Sequence, residues 1–88
     1  MPTLSIFYGI IIRMLAEQGV NHNTPHIHAK YNDYEVSVAF DGTVLGGDFP
    51  PKQMKLLQAW IAIHEDDLRA NWETLNESGT FFKIEPLR

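Results

Sequence analysis

The sequence predicts an α+β domain, a small antiparallel β-meander sheet with one or two C-terminal helices packed on one of its faces. Three observations carry this expectation. Segments 26–31 and 34–40 alternate polar and apolar residues at the two-residue period of a strand, and only Asn32-Asp33 separates them. Asp41-Gly42 is a second strong turn signal, followed by the β-favouring Thr43-Val44-Leu45. From Pro51 onward, Met54, Leu57, Ile61, His64, Leu68, Trp72 and Leu75 recur at intervals of three and four, the spacing of one helix face, with Trp60 beside them.

The first element is expected over Leu4 to Leu15. Leu4, Ile6, Tyr8, Ile10, Ile12 and Met14 share one parity and are uniformly apolar, whereas Ser5, Phe7, Gly9, Ile11 and Arg13 are mixed. That pattern suits one strand with its apolar face on the core, Gly9 marking a bulge or a point of close approach. Glu17 to Pro25 is polar and carries Gly, Asn and Pro, so it reads as a loop. Pro25 forces extended geometry on Thr24 and launches the next strand at His26.

A two-residue turn at Asn32-Asp33 fixes the register of the central hairpin. It pairs Tyr31 with Tyr34, Lys30 with Glu35, Ala29 with Val36, His28 with Ser37, Ile27 with Val38 and His26 with Ala39. One face then carries Tyr31, Tyr34, Ala29, Val36, Ile27 and Val38 and is the core face. The other carries Lys30, Glu35, His28, Ser37, His26 and Ala39, so both histidine rings are expected to point away from the tryptophan-bearing helices. Gly46-Gly47 is expected to end regular pairing, and Pro50-Pro51 to lead into the first helix, where proline suits the first turn. Run straight to Glu77 the helix would span about 39 Å, too long for a domain of this size, so a break is expected between His64 and Asp67. Ser78-Gly79 reads as the helix stop, and Thr80 to Pro86 as an added edge strand.

Length and composition set limits on function. The 88 residues form a single domain, 1–88, since a second core could not be buried in so short a chain. A hydrophobic content of 44% supplies a packed core, and a net charge of -4 leaves no basic surplus for general nucleic-acid binding. No cysteine is present, so any metal would need histidine, carboxylate or water ligands. No apolar run approaches the ~20 residues of a bilayer helix, and no basic leader opens the chain, so no membrane contact and a cytoplasmic location are expected.

Chemistry, if any, is expected where histidine concentrates, because its proton and metal affinities lie near neutral pH. His22, His26 and His28 fall in one short segment, with Lys30 on the same strand face as the last two. Same-face imidazoles two residues apart can converge on a small ion or substrate, zinc among them, and can equally be ordinary solvated histidines on a polar face. His64 sits on the helix stripe, where a hydrogen-bonded structural role is the simpler account. Trp60 and Trp72 read as core, and Glu65-Asp66-Asp67 as a helix-starting cluster.

The opening Met1-Pro2-Thr3-Leu4-Ser5, then Phe7, Gly9 to Met14, Pro25-His26-Ile27-His28-Ala29-Lys30-Tyr31, Gly42, Trp60, His64, Leu68, Asn71-Trp72 and the closing Ile84-Glu85-Pro86-Leu87 together resemble the bacterial domain-of-unknown-function family DUF4160. The resemblance implies a small α+β protein encoded beside a second small protein, in an arrangement like that of toxin–antitoxin pairs. Three classes of function follow. The first is a protein-binding module that meets the product of a neighbouring gene, or a second copy of itself, through His22, His26, His28 and Lys30. The second is a small nuclease or hydrolase in which His26 or His28 is the general base and Lys30 stabilises a developing anion. The third is a metal-responsive binder with His26 and His28 as ligands.

Overall fold

The computed structural model describes residues 3–15 and 24–87. Five strands, β1 (Thr3–Phe7), β2 (Ile10–Arg13), β3 (His26–Tyr31), β4 (Tyr34–Ala39) and β5 (Val44–Gly47), precede two helices, α1 (Pro51–Ile63) and α2 (Glu65–Ser78). The strands form one antiparallel sheet in the order β1-β2-β3-β4-β5, so each is hydrogen-bonded to its neighbours in the chain. This is the expected meander, an α+β fold. The loop expected from Glu17 lies outside the described residues as far as Asn23.

The stretch expected as one strand from Leu4 to Leu15 is a hairpin. Tyr8 and Gly9 both take positive φ, +49° and +79°, the signature of a tight two-residue reversal between antiparallel strands. Phe7 pairs with Ile10 across it. The register slips between Thr3 and Ser5, which moves the core side chains out of simple alternation. Leu4 and Phe7 are buried, whereas Ile6 and Tyr8 are 60% and 59% exposed. Gly9 is also a close-approach point, because a Cβ built there would stand 3.3 Å from the Tyr31 ring.

The central hairpin has the expected register at all six pairs, from Tyr31 with Tyr34 to His26 with Ala39. Its core face holds Ile27, Ala29, Val36 and Val38, all buried, with Tyr31 half-buried; Tyr34, beside the turn, is 45% exposed instead of covered. Gly46 and Gly47 do not end the pairing. They lie in β5, opposite Ser37 and Val36. Gly47 has φ +84°, and a Cβ there would come within 2.2 Å of the Glu35 carbonyl oxygen, so only glycine fits.

Helix α1 opens with Pro51 in its first turn, where a missing N–H costs nothing, and lays Leu57, Trp60 and Ile61 on the core face of the sheet. The Trp60 and Phe7 rings lie 5.4 Å apart, and Gln58 Nε2 donates to the Gly42 carbonyl at 3.1 Å, tying the helix to the β4–β5 turn. The helical stripe breaks at His64, as its length demands. His64 closes α1 with its N–H on the Trp60 carbonyl and opens α2 by accepting from the Leu68 N–H. Glu65, Asp66 and Asp67 in the first turn of α2 complement the positive end of its dipole. Gly79 ends α2 in the left-handed conformation.

Residues 80–87, expected in part as an edge strand, form no regular strand. Side chains hold them. The buried Asn71 donates through Nδ2 to the Phe82 carbonyl at 3.0 Å and accepts the Phe82 N–H at 2.8 Å. Trp60 Nε1 donates to the Glu85 carbonyl at 2.8 Å, and the Ile84 N–H reaches the Leu4 carbonyl of β1 at 2.9 Å.

Candidate functional site

The pairing that buries Ile12 and Ala29 sends their chain neighbours to the opposite face. Arg13 pairs with His28 and Ile11 with Lys30 across β2–β3, while His28 pairs with Ser37 and Lys30 with Glu35 across β3–β4. Directly opposed residues share a face. Arg13, His28, Lys30, Ser37 and Glu35 are therefore gathered on the side of the sheet away from α1. Together with Gly46 they line a shallow trough of about 280 Å³ that runs across four strands. Lys30 and Glu35 at one end are exposed; Arg13, His28 and Ser37 are half-buried.

Within the trough, Ser37 Oγ and His28 Nδ1 share a hydrogen bond of 3.1 Å. The Nε of Arg13 is buried and has no hydrogen-bond partner among the described residues. His26 lies next along the face, its ring centroid 5.1 Å from that of His28 in an edge-to-face arrangement. Its Nδ1–H donates to the Thr24 carbonyl at 2.7 Å, so that nitrogen carries a proton. An ion held between the two rings would have to use Nε2 of His26. Among the described residues, no group of three or more His, Asp or Glu side chains is placed to hold a metal ion.

The expectation that both rings point away from the tryptophan-bearing helices is corrected at His26. Its ring stands 5.5 Å from that of Trp72 in α2, which also packs edge-on against Phe40 at 6.2 Å. Ala39, opposite His26, is only 4% exposed. This face is thus covered at its His26 end and open at its Lys30 end, because α2, set off from α1 by the break at His64, carries Trp72 to the rim of the sheet. His22 lies outside the described residues. His64 sits at the helix junction, its ring 5.4 Å from that of Trp60 and its Nδ1 3.8 Å from the Asp67 carboxylate.

The structure thus brings His26, His28 and Lys30 onto one face and adds Arg13 and Ser37 to them. Arg13 was legible as a residue off the core face, but its place beside His28 depends on the Tyr8-Gly9 reversal, which sets where β2 meets β3. No helix among the described residues is long and apolar enough to cross a membrane. A family model described as "Domain of unknown function (DUF4160)" matches residues 9–73, a span that includes β2 to β5, α1 and most of α2. No curated protein and no solved structure matches the chain.

Proposed function

Since the chain belongs to the DUF4160 family, whose description leaves the activity open, we propose from its geometry that it is a protein-binding module working through the uncovered face of its sheet. The observation that carries this reading is the division of labour between the two faces. α1 lays its apolar side chains on one face, and the other presents a trough over β2 to β5 where Arg13, His28, Lys30, Glu35 and Ser37 stand among apolar neighbours such as Ile11. An open sheet face of mixed charge is the kind of surface a partner covers. Lys30 is exposed on it and His28 half-buried, with His26 at the covered margin; His22, outside the described residues, is proposed as a further contact. The partner is the product of a neighbouring gene in a toxin–antitoxin-like pair, met in the cytoplasm.

Co-expression with that gene product tests the proposal. The two chains are expected to purify together, and His28→Ala with Lys30→Ala should abolish the association while circular dichroism shows the fold intact. Association unchanged by both substitutions would refute the contact surface. The Ser37–His28 hydrogen bond favours a second reading, a hydrolase in which His28 takes the Ser37 proton and Arg13 and Lys30 stabilise the developing anion. A fluorophosphonate probe separates the two: labelling of Ser37 that is lost in His28→Ala would favour the enzyme, and an unlabelled Ser37 the module.

A further inference from the structure

We propose that the trough is a seat for a carboxylate, presented by an acidic segment of the partner protein; this rests on the reading of the open face as a docking surface. The chain as a whole carries a net charge of -4. The charged groups lining the trough run the other way, Arg13 and Lys30 against the single carboxylate of Glu35. A locally cationic recess on an acidic protein attracts anions where the rest of the surface repels them.

The donors are also arranged for an oxygen. Arg13 lines the recess beside His28, so its guanidinium brings there the positive charge with which a carboxylate forms charge-assisted hydrogen bonds, and its Nε, buried, has no hydrogen-bond partner among the described residues. Ser37 Oγ, hydrogen-bonded to His28, adds a neutral polar group on the facing strand. Space is left beside it by Gly46, the pairing partner of Ser37, where a Cβ would meet nothing within 4 Å. At about 280 Å³ the recess falls just below the small-molecule range of roughly 300–1,000 Å³. It matches one or two side chains better than a nucleotide. Glu35 at its rim opposes a second negative charge, which favours a carboxylate over a phosphate dianion.

The test is a titration of the purified protein with a hexaglutamate peptide, followed by amide and arginine Hε resonances, with hexaglutamine and inorganic phosphate in parallel. Shifts are expected at Arg13, His28, Lys30, Ser37 and Gly46 with hexaglutamate alone. Arg13→Ala should weaken binding about tenfold, as the loss of a charge-assisted hydrogen bond does. Lys55→Ala removes the same charge from α1, on the far side of the sheet, and should leave binding unchanged. Gly46→Glu, whose Cβ enters open space, sets a carboxylate beside the recess and should abolish binding while the melting temperature holds. Shifts absent from these residues, an equal loss in Lys55→Ala, or phosphate binding as tightly at the same residues would each overturn the assignment. Partner association without hexaglutamate binding would refute the carboxylate site and spare the docking face. Hexaglutamate binding without a co-purified partner would do the reverse.

Discussion

On one side of the β3–β4 hairpin, Ile27, Ala29, Val36 and Val38 are buried under α1; on the other, Lys30 and Glu35 stand in solvent and His28 bonds to Ser37. These residues alternate along the same two strands, so a single backbone serves two chemistries. The side toward α1 is fixed by packing, where every missing atom leaves a void. The side away from it is packed only at its His26 end, under Trp72, and toward Lys30 it is constrained little by the fold, which leaves the residues there free to be chosen for what they bind. Substitutions on the first should therefore change stability, and those on the second should change binding.

The largest effect is expected from Trp60→Ala. It empties the centre of the core and removes the hydrogen bond to the Glu85 carbonyl, a loss of about 3–5 kcal/mol in urea denaturation. A cost below about 1 kcal/mol would mean that α1 does not hold the face as described. Asn71→Ala comes next, at about 1–3 kcal/mol, because it takes both partners from the Phe82 backbone. Faster amide exchange at Phe82 and Ile84, with β3 and β4 unaffected, would locate the damage in residues 80–87.

Two adjacent glycines sharpen the contrast further. Gly47→Ala drives a Cβ into the Glu35 carbonyl at positive φ and should cost about 1–3 kcal/mol. Gly46→Ala enters open space and should stay within about 0.5 kcal/mol. Equal melting temperatures for the two variants would break the distinction. The smallest effect lies off both faces, in the β4–β5 turn. The Thr43 N–H, 2.9 Å from the Asp41 carboxylate, stabilises its charged form and lowers its pKa from the ordinary 3.8. A carboxyl whose pKa falls on folding adds stability above its ordinary pKa and loses it as pH drops through the lowered one. The Asp41 carboxyl resonance should accordingly titrate below 3.8 in the folded protein and move back up in Thr43→Pro, which has no N–H to donate.

The central hairpin was legible because two signals agreed, a two-residue link and a strict alternation on each side of it. The first hairpin was hidden because Tyr8-Gly9 interrupts an isoleucine-rich stretch without disturbing its parity, and the slip between Thr3 and Ser5 then shifts the core face to Phe7. Gly46 and Gly47 carry no side-chain pattern, so their place in β5 shows only once the Glu35 backbone is seen beside them. Residues 80–86 alternate as a strand would, but Asn71 and Trp60 satisfy their backbone groups in place of a neighbouring ladder. His26, His28 and Lys30 were found on one face because the register places them there. The approach of Trp72 to His26 was not legible, since it depends on the angle between two helices that meet at a single residue.

The meander order has a bearing on how the chain reaches this state. Every strand pairs with the one before or after it, so the sheet can assemble by successive short-range closures, each with a modest loop-entropy cost. The meeting of Ile84 with Leu4 spans almost the entire chain, and the same segment is held to α2 by Asn71. A contact of such long reach is expected to close late, so loosening it should accelerate unfolding while leaving the refolding rate nearly untouched.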